Sequence, residues 1–365
     1  MSIESDLKKE GIEVQTKLDT LKVNSIAKTI AELLVKAFPE HNFKTDELFK
    51  RLARLNMYTA KVPNGLSEAN YFYKNTSIYY NEKIDLNDIY KYALHECIHY
   101  LQERKSSRGK LIRLGLCDMA GVKVYGLGIN EAATQYTTAK ALHFKNDTVK
   151  YYGITFDTIS PNFYPLECNI IAQMAYITGE YSLLDSTFNS NNNFKNKFIE
   201  ATSKDTYEIV ESNFDKILFA EEDLIKLNNK LALEEHNDAP IQAKITKQKH
   251  IIKNTFFETQ NLIIESYFNN YFNSIKTVEE VDKFRRKLYN YKNLIGITED
   301  YFFFNNYYIK MMEKLEDKKA AIENGIEYVF NTHTDMVSSK QNKIALFFKA
   351  IKEFLFGNAN EYQKI

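Results

Sequence analysis

The stretch Leu86–Arg104 reads LNDIYKYALHECIHYLQER, and its reading decides the fold. Ala93, Leu94, Cys97, Ile98 and Leu101 recur at helical spacing and predict one apolar side turned to a core. Asp85 stands where a cap is wanted, and Asp88 three residues on makes a weak variant of the capping box. Inside this helix lies His95-Glu96-Cys97-Ile98-His99, the HExxH pattern. Residues four apart on a helix sit one turn above each other, so both imidazoles project from one face and can bind one ion. Glu96 is rotated by about 100° from its histidine neighbour. It is poorly placed to be a ligand and well placed to reach water held by the ion.

Upstream of that helix the period changes. Asn70–Tyr73 and Ser77–Asn81 are short, aromatic and β-branched, with Lys74-Asn75-Thr76 between them, and predict a β-hairpin. Before it, Pro63-Asn64-Gly65 marks a loop and Thr45–Leu55 a short helix capped at Thr45. From about Ser5 to Lys36 the apolar spacing predicts one long helix, ended by Pro39. Downstream, residues 107–128 hold five of the twelve glycines and predict a loop with one short strand, Val122–Tyr125. The glycines match no phosphate-loop pattern and are expected to shape a cleft.

A tetrahedral catalytic metal needs three protein ligands and one open position. The third is expected in Gly128-Ile-Asn-Glu131-Ala-Ala-Thr-Gln135-Tyr136, where Glu131 opens a helix running to about Phe144. Ala132 and Ala133 predict close packing of that helix on the first. With HExxH followed by Asn130-Glu131-x-x-Thr134, the chain resembles the gluzincin group of zinc metallopeptidases, the thermolysin-like clan, over about residues 66–188. The hairpin resembles the edge of the small sheet that lines the cleft in zincins. Tyr164–Gly179 is similar to the helix that follows the NExxT helix in some bacterial gluzincins. The resemblance implies one Zn²⁺ per chain held by His95, His99 and Glu131, with Glu96 as general base and a peptide or protein as substrate. One departure stands out. The position four after the third ligand, acidic in thermolysin-like enzymes, is Gln135. A Gln carbonyl can accept an imidazole N–H but lacks the charge that raises ligand basicity. Glu167, opening the next helix, is a rival source of a bracing carboxylate, or a first-turn acid matching the helix dipole. Tyr125, Tyr164 and Tyr136 are candidate donors to a developing oxyanion. His143, three turns beyond Glu131, is read as a surface or packing residue.

The rest of the chain is expected to be helical: Leu166–Phe188 with a break near Gly179, then a polar break at Asn189–Asn193. Phe214–Glu235 and Ile241–Ser274 follow as an αα-hairpin, then Val278–Tyr291 and Glu299–Tyr328. The predicted fold is therefore α+β, mostly α. A zincin-like domain over 1–200 with a small β-sheet precedes a helical region over 201–365. Helix 344–356 is apolar and fits a docking helix or a membrane-surface contact. Composition narrows the class. The 48 basic and 48 acidic residues balance, against a dedicated nucleic-acid binder. Three cysteines (Cys97, Cys117, Cys168) show no disulfide framework or CxxC spacing. No run reaches membrane-span length, and residues 1–22 lack an apolar h-region, so a cytoplasmic protein is expected. The Lys, Asn, Ile and Tyr content fits an AT-rich bacterial genome. Two functions stay open: a zinc-dependent peptidase, or a catalytically inactive zincin-like helical interaction protein.

Overall fold

The computed structural model describes residues 7–8, 11–63, 67–85, 87–119, 124–233, 238–296 and 302–328. The described chain is α+β and mostly helical. Helix 344–356 lies outside the described residues, as do residues 122–123 of the expected strand.

The N-terminal reading needs correction. Glu13–Lys17 is not helix but strand β1, and helix α1 spans only Thr20–Ala37. Glu-Val-Gln-Thr-Lys alternates and carries β-branched residues, and pairing with β2 (Asn56–Lys61) overrides its helical spacing. Asp19 caps α1 by accepting from the Lys22 N–H at 2.7 Å. Helix α2 spans Thr45–Leu52, with Lys44 rather than Thr45 at its cap.

Strands β3 (Ala69–Phe72) and β4 (Ser77–Asn81) form the expected antiparallel hairpin. It joins a four-stranded sheet in the order β1-β2-β4-β3, with β2 and β4 parallel. Central β4 is buried from Ser77 to Tyr80, whereas β3 is an edge strand lying beside helix α3 (Ile89–Gln102). Asp85 does not cap α3, and its Oδ1 accepts instead from the Asn87 N–H. The glycine-rich segment holds a small antiparallel sheet, β5 (Glu103–Lys105), β6 (Leu111–Leu114) and β7 (Cys117–Asp118). Tyr125 adds only an isolated bridge to Asp118.

Helix α4 spans Leu127–Ala141. A hairpin absent from the sequence reading follows, β8 (Asp147–Tyr151) and β9 (Ile154–Thr158), turning through Tyr152 and Gly153 at φ +50° and +76°. Helices α5 (Pro165–Thr178) and α6 (Glu180–Asn189) break at Gly179 as expected. Then come α7 (Asn193–Ala201), α8 (Lys204–Leu233), α9 (Ala239–Ser274), α10 (Val278–Ile295) and α11 (Phe302–Glu323). Bonds from Asn213 to Thr259 and from Gln248 to Asp223 show that α8 and α9 run antiparallel.

Two main clusters of buried apolar residues result. One gathers α1, α2, the four-stranded sheet and the apolar side of α3, with Ala93, Leu94, Cys97 and Ile98 fully buried. The other runs from Leu116 to Leu315, on both sides of residue 200, and includes Ile129, Ala132 and Ala133 of α4. Helix α3 therefore belongs to the first cluster and α4, apart from its last residue Ala141, to the second, and the two meet along the seam. Ala132 and Ala133 serve the second cluster, and the residues α4 sets against α3 are polar: Glu131, Gln135, Asn130 and Thr134.

Candidate metal centre

The HExxH helix is clamped at its C-terminal end. Tyr100 O and Leu101 O accept from Arg51 Nη2 at 3.3 and 2.9 Å, and Gln102 O accepts from Ser190 Oγ. A cation at those carbonyls also suits the negative end of the helix dipole. The other helix is anchored at its start. Asp215 of α8 accepts from Gly126 N at 3.1 Å and Gly128 N at 2.7 Å. A Cβ on Gly128 would stand 2.5 Å from the Phe214 backbone, so only glycine permits this approach.

Between the clamped helices three side chains converge. His95 Nε2 lies 3.0 Å from His99 Nε2 and 3.2 Å from Glu131 Oε2, and His99 Nε2 lies 3.4 Å from Glu131 Oε1. They form the only group of three or more His, Cys, Asp or Glu donors with ligand spacing among the described residues. The Nδ1 atoms face outward to amide oxygens: His95 to Gln135 Oε1 at 2.9 Å, His99 to Gln102 Oε1 at 3.2 Å. An amide oxygen only accepts, so each Nδ1 carries the hydrogen and each Nε2 presents a lone pair. Two lone pairs and a carboxylate then point at one spot, an arrangement that repels itself unless a proton or a cation stands there. Two nitrogens on one tetrahedral ion would be separated by about 3.3 Å, close to the spacing seen. The donor set fits a divalent metal.

Electrostatics agree. Burial by itself would raise the Glu131 carboxyl, but His99 and His95 reverse this and hold it well below the usual carboxylate range. Burial lowers His99, yet the charge and hydrogen bond of Glu131, the Glu96 charge and the Gln102 bond together outweigh it, and the imidazole is pushed up to about 9.

Glu96 is 6% exposed and stands outside the triad. Its Oε2 accepts from Tyr71 N of edge strand β3 at 2.8 Å. Burial pushes its carboxyl up, against the pull of both histidines. A cleft lined by Ala69, Tyr92, His95, Glu96, Phe163 and Tyr164 opens beside it.

The other candidates separate. Gln135 touches His95. Tyr164 lays its ring against His95, with centroids 6.1 Å apart and planes 25° from parallel. Its backbone is left-handed at φ +47°, a costly conformation for a residue with a side chain. Burial, then the Glu131 and Glu96 carboxylates, push its phenol well up. Tyr125 is 55% exposed and makes no hydrogen bond or ring contact with the triad. Tyr136 donates to Glu180 Oε1, and His143 is exposed. Glu167 is fully buried but contacts neither histidine. Cys97, Cys117 and Cys168 are buried free thiols. Sequence reasoning missed Gln102, Asn130, Ser160 and Asp215. Gln102 was signalled, since it lies three residues past His99 on the same helix face.

Among the described residues no helix is long and apolar enough to cross a membrane. Comparison with protein-family models, curated proteins and solved structures finds no match to the chain.

Proposed function

We propose that the chain is a zinc-dependent metallopeptidase of gluzincin type that hydrolyses peptide bonds with Glu96 as general base. The observation that carries this reading is the convergence of His95, His99 and Glu131 beside a buried carboxylate that is not itself a donor to the triad. A zinc ion bound there supplies Lewis acidity, acidifying water and polarising a carbonyl. The chain's own groups do the rest. Tyr71 N–H fixes Glu96 Oε2, leaving Oε1 to accept the proton of the attacking water and return it to the leaving amine. Burial raises the Glu96 carboxyl, and a raised carboxyl is the stronger base for that shuttle. Tyr164 keeps its phenolic proton and lines the cleft, so it can donate to oxygen charge that develops on the substrate. A peptide or protein segment is the substrate.

The test pairs metal analysis with an unbiased peptide library. About one zinc per chain is expected, with cleavage that disappears on chelation and returns with zinc. A protein that takes up zinc but cleaves nothing is the zincin-like interaction protein instead. A protein that takes up no metal ends both readings of the triad.

A further inference from the structure

Both histidines are backed by carboxamides, and both amides are oriented by chains that end on the backbone. The His99 chain starts at Leu116 N–H, which can only donate. It donates to Asn130 Oδ1 at 3.0 Å, so Asn130 must turn its amino group to Gln102 Oε1 at 3.3 Å. Gln102 therefore presents oxygen to His99 Nδ1, while its amino group donates to Thr134 Oγ1 at 3.0 Å. The His95 chain starts at Phe163 C=O, which can only accept. It takes the Ser160 hydroxyl proton at 2.6 Å, so Ser160 Oγ must itself accept from Gln135 Nε2 at 2.9 Å. Gln135 Oε1 is left to face His95 Nδ1. Gln102, Asn130, Thr134, Gln135 and Ser160 are all at most 4% exposed, so water does not compete. Gly115 makes room for the first chain: at φ +56°, a Cβ there would fall 2.2 Å from Asn130 Oδ1 and 2.8 Å from Gln102.

We propose that Gln102 and Gln135 are positioning residues that lock His99 and His95 as Nδ1–H tautomers, through relays anchored at Leu116 N–H and Phe163 C=O. The consequence for a metal rests on the peptidase reading, but the lock does not. An imidazole has one hydrogen when neutral, and placing it on Nδ1 leaves Nε2 bare before any ion arrives. The locks are uncharged. A carboxylate at either place would make its histidine a stronger base and a tighter ligand.

Long-range nitrogen–proton NMR on ¹⁵N-histidine-labelled, metal-free protein at pH 10 reads each tautomer directly. Both are expected as Nδ1–H. Gln102→Leu should let His99 populate the Nε2–H form and lower zinc affinity by about 10–100-fold. Gln102→Glu keeps the acceptor and should restore Nδ1–H with zinc affinity at or above that of the parent. Nε2–H at either histidine of the parent overturns the proposal. So does a Gln102→Leu protein with unchanged tautomer and unchanged affinity. Nδ1–H at both rings in a parent that binds no zinc would support the lock and overturn the metal reading alone.

Discussion

At the residue scale the division of labour between the two site glutamates is open to direct test. Glu96 is held by a backbone N–H and is absent from the converging triad, whereas Glu131 faces both imidazoles. Glu96→Gln preserves size and removes the proton acceptor, so zinc content should stay near one per chain while turnover falls below detection. Turnover persisting in zinc-loaded Glu96→Gln protein would mean that another base operates. Glu131→Ala leaves two protein donors where a stable catalytic site needs three, and zinc should be lost on dialysis. Glu131→Asp retracts the carboxylate by roughly an ångström, more than the ±0.2 Å or so that metal–ligand distances allow. It should hold zinc weakly, between the parent and the alanine variant. Equilibrium titration with a zinc-competing chelator ranks the three, and an alanine variant as tight as the parent would remove Glu131 from the ligand set.

At the scale of elements the site depends on how α4 is set against α8. Asp215 accepts from the first N–H groups of α4, and Gly128 allows the two backbones to touch. Gly128→Ala must push the helices apart and should cost about 1–3 kcal/mol, as overpacking does. Because Glu131 lies one turn along, zinc affinity should fall with stability. Asp215→Asn keeps an acceptor and should do less damage than Asp215→Ala, whose loss resembles that of a helix cap at about 0.5–2 kcal/mol. Thermal melts with and without zinc measure both effects, and an unshifted melt for Gly128→Ala would refute the close approach. These contacts also show what could be read from sequence. His95 and His99 were legible because helical spacing puts them on one face, and Glu131 because a three-ligand site calls for a downstream donor and Asn130-Glu131-x-x-Thr134 follows the HExxH helix. The β3–β4 hairpin was legible because alternation and a polar turn are local signals. Strand β1 was not, since five exposed residues become a strand only through a partner some forty residues away. Hairpin β8–β9 carried a signal that was passed over, alternation around Tyr152-Gly153. Asp215 was illegible in principle, because nothing within α8 announces that its carboxylate caps another helix.

At the scale of the molecule, one further pair of acids ties the helices of the larger cluster together. Glu167 on α5 and Glu221 on α8 face each other, with Glu167 Oε1 and Oε2 and Glu221 Oε1 buried and the two carboxyl groups within hydrogen-bond reach of each other. Two ionised carboxylates cannot share such a place without large cost. Burial pushes Glu167 up to about 7, and burial with the Glu167 charge pushes Glu221 well above the ordinary range. The sign of the stability effect follows. Between the ordinary carboxyl value near 4.5 and about 7, the folded chain holds a proton on Glu167 that the unfolded chain has released. Stability from this group is therefore fully present below about 4.5 and lost as pH rises through 7. Glu131 does not contribute to that slope, since its folded value is depressed and its contribution is lost only in acid. His99 contributes a slope of the same sign between 6.5 and about 9, so parent and variant must be compared under one metal-free condition. Glu167→Gln replaces the carboxyl with a neutral group of equal size. Its melting temperature should exceed the parent's at pH 8 by roughly a few degrees, as a shift on the order of 1 kcal/mol gives in a chain this long. The advantage should shrink steadily to pH 5, where the parent's Glu167 is itself protonated. Melting profiles that run parallel from pH 5 to 8 would show that Glu167 is ionised throughout, and that something other than a proton neutralises the pair.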